Sequence, residues 1–367
     1  MPEEKYMRRA IELARRGAGA VNPNPLVGAV IVREGQVLGE GWHERYGQLH
    51  AERNAIAHAK EGGYTDLSGS TIYVTLEPCC HYGKTPPCTE AIIEEGIARV
   101  VVGSDDPNPK VAGKGFEILR SKGIKVIPHY LKEECDALNA VFFHYISTGK
   151  PYIAMKYAMT MDGKIACHTG DSKWVTGEIA RGHVQKLRNL YTGIMVGIGT
   201  VLADDPTLNC RLEGGRDPVR IVADSRLRIP TDSKLVRTAR DQDLIVACLI
   251  DSDSTKIREL ESLGVTVITC PVGPNGSIDL QVLMEELGKR RIDGILLEGG
   301  GVLNESFLRA GLVNRVYCYL APKMFGGRDS RTPVEGQGVD LARDAWEFQC
   351  VDRRELGEDI LIEYIRK

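Results

Sequence analysis

The stretches His50-Ala51-Glu52 and Pro78-Cys79-Cys80-His81-Tyr82-Gly83-Lys84-Thr85-Pro86-Pro87-Cys88 decide how the first half of the chain is read. Together they put an imidazole, thiols and a lone carboxylate into one neighbourhood. Zinc takes neutral imidazole and thiolate readily, and three protein ligands leave one tetrahedral position to a water whose pKa falls toward ~7. We read His50, Cys79 and Cys88 as the ligands and Glu52 as a general acid/base outside the metal shell. A structural zinc knot is the bland reading of the same residues. It needs a fourth protein ligand, and the candidates Cys80 and His81 are crowded against Cys79.

The periodicity around these motifs predicts two helices. One runs from His50 to Lys60 and is stopped by Gly62-Gly63; the other runs from Cys88 to the region of Gly96. Both motifs therefore sit at helix N-termini. Positions two apart face differently on a helix, so a metal must approach the helix end, where partial positive charge favours a thiolate at Cys88. In zinc deaminases H-x-E is followed by P-C-x-x-C. Here the first part matches and the second departs, because a Gly- and Pro-containing loop separates Cys79 from Cys88.

A chain of 367 residues is long enough for two domains with their own cores. A net charge of −3 guarantees no basic face for nucleic acid, and the few aromatics are not interleaved with basic runs, so a polynucleotide substrate is disfavoured. Ten cysteines, scattered except at the metal motif, suit a reducing cytoplasm better than a disulfide framework. The opening helix lacks the apolar core of an export signal, and no run approaches membrane-spanning length. We expect a cytoplasmic protein with no membrane partner, assembled as a homo-oligomer.

Along the first half, Asn22 to Pro25 is a turn, Val27 to Val32 and Val37 to Gly41 form a hairpin, and strands follow at Thr71 to Thr75 and Val100 to Gly103. A strand-helix pair covers Ile124 to Ser147. The expectation is a mixed sheet with flanking helices, whose loops carry the candidate ligand contacts Asn24, His43, His81, Lys84, Asp106 and Asn108. A domain boundary is expected at Ser147 to Pro151, giving domains 1–147 and 148–367.

The runs Asn22 to Gly28, His50 to Glu52, Glu77 to Thr89 and Asp106 to Gly115 resemble the deaminase half of the bifunctional riboflavin-biosynthesis deaminase/reductase family. That resemblance implies a cytidine-deaminase-like fold and zinc-dependent hydrolytic deamination of a phosphoribosylaminopyrimidine. It also implies that Asn24, His43, His81, Lys84, Asp106 and Asn108 hold the pyrimidine and its phosphoribosyl tail.

In the second half, Pro151 to Met161 alternates as a strand with Lys156 at its middle, and Asp162-Gly163 turns the chain. Tyr191 to Pro206 is a strand running into a glycine-flanked turn, and Gly294 to Leu308 repeats the unit with Gly299, Gly300 and Gly301 between strand and helix. Glycines there let backbone amides approach a phosphate. The strand from Pro218 ends in Ser225, Arg226 and Arg228, a hydroxyl and guanidinium set that suits an NADP 2′-phosphate or else is solvated loop charge. Alone, these residues indicate only an α/β domain with two glycine-rich turns.

Met155 to Ala166, Asp171 to Thr176, Gly199 to Leu208 and Leu297 to Gly301 resemble the reductase half of the same family, which is similar in fold to dihydrofolate reductase. The resemblance implies NADPH at Ala158, Trp174, Thr200, Asp204, Ser225 and Gly299 to Gly301, and substrate at Lys156, Ser172, Arg188, Leu208, Arg211 and Glu298. Arg188 and Arg211 suit a phosphate monoester, and Lys156 and Glu298 are the candidates to polarise or protonate the opening ribose. The rival expectation is a nucleoside or nucleotide deaminase fused to a folate-type reductase domain.

Overall fold

Strict alternation along Gly28–Arg33 (β1) sends Ala29 and Ile31 to one face and Val30 and Val32 to the other, and all four are buried. Both faces must therefore be covered. Val30 and Val32 pack with Met7, Ala10 and Ile11 of the helix Glu4–Arg15. Ala29 and Ile31 pack with Ala55, Ile92 and Leu119 of three further helices, Ala51–Glu61, Cys88–Glu94 and Lys114–Ser121. The structure, a computed structural model, describes residues 2–83, 85–109 and 111–367. It divides into two compact units, Met1–Gly149 and Lys150–Lys367.

In the first unit β1 turns through Glu34 and Gly35 into β2 (Gln36–Trp42), and β1 also pairs antiparallel with β3 (Thr71–Leu76). Parallel β4 (Arg99–Ser104) and β5 (Lys125–Ile127) complete the order β2-β1-β3-β4-β5. Gly39 and Gly41 of β2 fix how closely the helix Ala51–Glu61 lies. A Cβ on either would come within 2.2 or 2.3 Å of Ala55 backbone. Helix and strand thus meet without intervening side chains, which sets the position of the helix end that carries His50.

The second unit holds β6 (Tyr152–Thr160), β7 (Gly193–Gly197), β8 (Val219–Ala223), β9 (Leu244–Leu249) and β10 (Thr266–Cys270). It continues with β11 (Gly294–Leu297), β12 (Val313–Ala321), β13 (Phe348–Leu356) and β14 (Asp359–Arg366). The order is β10-β9-β8-β7-β11-β6-β12-β14-β13, parallel through β12 and antiparallel in the last two pairings. Near-continuous apolar runs such as Ile194 to Val196 and Ile295 to Leu297 are buried because helices cover both faces of a parallel sheet. Ligands of such sheets bind in the crevice beyond the carboxyl ends of the strands. The ends of β6, β7 and β11 meet there. Among the described residues no helix is long and apolar enough to cross a membrane.

Candidate active sites

His50 is the N-cap of the helix Ala51–Glu61, Cys88 is the first residue of the helix Cys88–Glu94, and Cys79 lies in the loop after β3. His50 Nδ1 is 3.5 Å from the sulfur of Cys79 and 3.5 Å from that of Cys88. All three donor atoms lie within 4.8 Å of one another. A tetrahedral zinc with bonds of about 2.3 Å to sulfur and about 2.0 Å to nitrogen requires N···S separations of about 3.5 Å. The residues fit the ion. Among the described residues no fourth histidine, cysteine or carboxylate joins the group, so Cys80 and His81 do not close it.

Charge is arranged to suit a cation. The Cys88 thiol and then the His50 imidazole lower the Cys79 pKa, while its partner Cys88 is raised by the same pairing. Glu52 is 3% exposed, and burial followed by the nearby Cys79 charge raises its pKa. A carboxyl group raised in this way exchanges a proton more readily near neutrality than a solvated one.

Beside these groups lies a cavity of about 230 Å³, lined by Asn24, His43, His81, Asp106 and Asn108 together with His50, Glu52 and Cys79. Lys84 lies outside the described residues. His43 is neutral in a defined tautomer. Its Nδ1–H donates to Leu49 O at 3.0 Å, so its Nε2 accepts from the Asn24 amide nitrogen at 3.2 Å. Burial lowers the His43 pKa and keeps it in this form. Asp106 accepts the Asn108 N–H at 2.8 Å, and burial pushes its pKa to about 6. Among the described residues His81 Nδ1 is buried without a protein partner, a polar atom facing the cavity. Glu77 and Phe142 also line the space, and sequence reasoning had not singled them out.

In the second unit a cleft of about 640 Å³ is lined by Lys156, Ala158, Ser172, Trp174, Arg188, Arg211, Glu298 and Gly299. Arg188 grips Glu298 with two nitrogens, at 2.8 and 3.1 Å, and donates from the third to Asn209 O at 3.0 Å. Lys156 Nζ stands 4.0 Å from the same carboxylate. Burial alone would raise Glu298, but Arg188 and then Lys156 hold it at about 2. A carboxylate so held has no proton to donate at neutral pH. Of the two groups expected to protonate the ribose, Lys156 is the other, and burial lowers its pKa, which eases release of its proton. Three of the five Arg188 N–H donors are used in these bonds, and Arg188 lines the cleft with one N–H left on each terminal nitrogen. Arg211 is the more accessible guanidinium, its backbone N–H held by Gln185 Oε1 at 3.0 Å.

The remaining expected residues are not in that lining. Thr200 and Asp204 lie in the short helix Ile198–Asp204, which begins immediately after β7 and takes the place of the expected open turn. The Leu208 side chain is buried in the core at φ 54°, so it can offer a ligand only its backbone. Ser225 follows β8, where its Oγ accepts the Ile278 N–H at 3.2 Å; Arg226 and Arg228 are exposed. Gly301 opens the helix Gly301–Arg309 and does not precede it. A Cβ there would meet Glu335 at 2.4 Å, whereas at the N-cap Gly300 nothing lies within 4 Å. That open, side-chain-free helix start fits a cofactor phosphate. Sequence reasoning missed Arg181, whose guanidinium lies 4.3 Å from the Trp174 ring centre, and Gln185. Arg181, Gln185 and Arg188 fall at i, i+4 and i+7 of the helix Glu178–Leu190, a spacing that could have flagged one polar face.

Comparison with known proteins places both units in known families. Residues 1–104 match the cytidine and deoxycytidylate deaminase zinc-binding region, and residues 151–362 match the RibD C-terminal domain. The chain belongs to the RibD family. It is 53% identical over 365 residues to the riboflavin biosynthesis protein RibD of Actinobacillus pleuropneumoniae, covering 100% of this chain and 96% of that one. The Acinetobacter baumannii RibD structure superposes with a TM-score of 0.87 at 37% identity, covering 99% of this chain and 98% of its own. A Thermotoga maritima structure, described as a diaminohydroxyphosphoribosylaminopyrimidine deaminase/5-amino-6-(5-phosphoribosylamino)uracil reductase, gives 0.86 at 38% identity with the same coverage. The expected fold, a cytidine-deaminase-like first unit and a reductase-type α/β second unit, holds over the family's full length.

Proposed function

We propose that the chain catalyses two consecutive steps of riboflavin biosynthesis. The first is hydrolytic deamination of 2,5-diamino-6-(5-phosphoribosylamino)pyrimidin-4-one. The second is NADPH-dependent reduction of 5-amino-6-(5-phosphoribosylamino)uracil to its ribitylamino product. The observation that carries the first step is the His50, Cys79 and Cys88 trio with N···S spacings of 3.5 Å beside the buried Glu52. Zn²⁺ and NADPH are the cofactors.

Bound zinc supplies Lewis acidity that makes a water nucleophilic near neutral pH. Glu52 takes the proton of the attacking water and passes it to the leaving nitrogen, so that a C–N bond is replaced by C–O and ammonia departs. Asn24, fixed by His43, would orient the pyrimidine, and His81, Asp106 and Asn108 would hold the rest of the substrate; Lys84, outside the described residues, is expected from the family resemblance to join them. In the second unit NADPH supplies hydride. Ala158, Trp174, Thr200, Asp204, Ser225 and the Gly299 to Gly301 turn would hold it. Ser172, Arg188, Leu208 and Arg211 would seat the substrate, Lys156 would deliver a proton to the ribose oxygen as the ring opens, and Glu298, itself held by Arg188, would fix Lys156 in place.

Supplying purified protein with the diaminopyrimidine, with and without NADPH, separates the steps. Ammonia release must not require NADPH, and NADPH oxidation must follow it. Deamination of cytidine or deoxycytidylate in its place would favour the rival reading of a nucleoside or nucleotide deaminase fused to a folate-type reductase. The ten cysteines, scattered except at the metal motif, support a reducing cytoplasm, and sedimentation tests the expected homo-oligomer.

A further inference from the structure

Glu77 is a buried carboxylate, 3% exposed, and among the described residues no cation pairs with it. It is satisfied by backbone amides of a single loop. Gly113 N–H donates to Oε2 at 3.0 Å, Gly115 N–H to Oε1 at 3.0 Å, and Asp106 N–H approaches Oε2 at 3.4 Å. Gly113 and Gly115 are the N-cap and second residue of the helix Lys114–Ser121, so the carboxylate also faces the positive end of a helix. Contact is close enough to exclude any side chain: a Cβ on Gly115 would lie 2.5 Å from Pro78 O and 3.0 Å from Glu77 Oε1. The segment fastened in this way carries Asp106 and, through the Asp106 carboxylate, Asn108, both lining the deaminase cavity.

We propose that Glu77 is a positioning residue of the deaminase, which sets substrate affinity by holding Asp106, Gly113 and Gly115 against the end of β3. It acts through Asp106 and Asn108 and has no part in proton transfer. The inference rests on the deaminase reading above. Glu77→Gln puts an NH₂ group where amide N–H groups already point, and Gly115→Ala forces the same loop outward from the opposite side. Each variant is expected to raise the deaminase KM about tenfold or more, the loss of a charged hydrogen bond, with kcat within about threefold of wild type. Zinc stays at one per chain and NADPH oxidation with the uracil substrate is unchanged. The double variant is expected to be no worse than the poorer single one, because both break one contact. Wild-type protein that releases no ammonia overturns the deaminase reading itself. An active wild type whose two variants keep a normal KM, or lose kcat or zinc instead, overturns the role of Glu77.

Discussion

Replacing Glu298 by Gln keeps the shape of the cleft's central carboxylate and removes its charge. The side chain is 12% exposed and pairs with Arg188 at 2.8 Å and with Lys156 at 4.0 Å. Its pKa is drawn from 4.5 to about 2. At ~1.4 kcal/mol per pKa unit the ionised form is favoured by about 3 kcal/mol in the folded unit. The folded value is depressed, so this stabilisation is fully present above the unfolded value near ~4.3 and is lost as pH falls toward about 2. Glu298→Gln removes it at neutral pH and leaves two buried cations without their anion. For a domain of this size the melting transition of the reductase unit should fall by about 6 to 12 °C. NADPH oxidation should drop by about two orders of magnitude as Lys156 loses its fixed position. Calorimetry, with the deaminase transition as internal reference, and a steady-state NADPH assay measure the two effects. A variant that melts and oxidises NADPH like wild type would refute the claim that Glu298 works as a fixed anion.

Three other outcomes follow from the geometry. Cys79→Ser or Cys88→Ser should abolish both zinc retention and ammonia release while leaving NADPH oxidation with the uracil substrate intact, as metal analysis and the two assays would show. Gly300→Val should raise the KM for NADPH at least about tenfold with little loss of stability, because its Cβ enters open space; Gly301→Ala should destabilise, because its Cβ meets Glu335 at 2.4 Å. His183 has its pKa pushed down to about 4 by burial and by Arg354, and its ring nitrogens meet Tyr319 Oη at 2.6 Å and Arg354 Nη2 at 3.3 Å. The unfolded chain binds this proton near ~6.5, so stability of the reductase unit should fall as pH drops from about 6.5 to about 4. In His183→Gln that part of the pH dependence should flatten, in denaturant titrations followed across the range.

The parts of both sites that were legible in the sequence are those whose chemistry is local. His50 and Glu52 lie two residues apart at a helix start, Cys79 and Cys88 flank one loop, and Gly299 and Gly300 separate β11 from the helix that Gly301 opens. What was not legible depends on partners far apart in the chain. Nothing near Glu298 announces that Arg188, 110 residues away, holds it ionised, and so it read equally well as a proton donor. Glu77 looked like part of the cysteine motif until its acceptor oxygens were seen to face amides at Gly113 and Gly115. Leu208 illustrates the opposite case: an apolar residue beside a cleft can turn its side chain into the core and present only backbone. The strand pattern was readable from alternation and apolar runs, whereas the insertion of β11 between β7 and β6 is set by tertiary packing and leaves no local trace.

The most direct measurement takes wild type and Glu52→Gln side by side, determining zinc per chain and the rate of ammonia release from the diaminopyrimidine. Both proteins should hold one zinc, with ammonia release in the variant lower by at least about two orders of magnitude and NADPH oxidation with the uracil substrate unaltered. A wild-type protein that holds no zinc, or a variant that deaminates at the wild-type rate, would contradict the account.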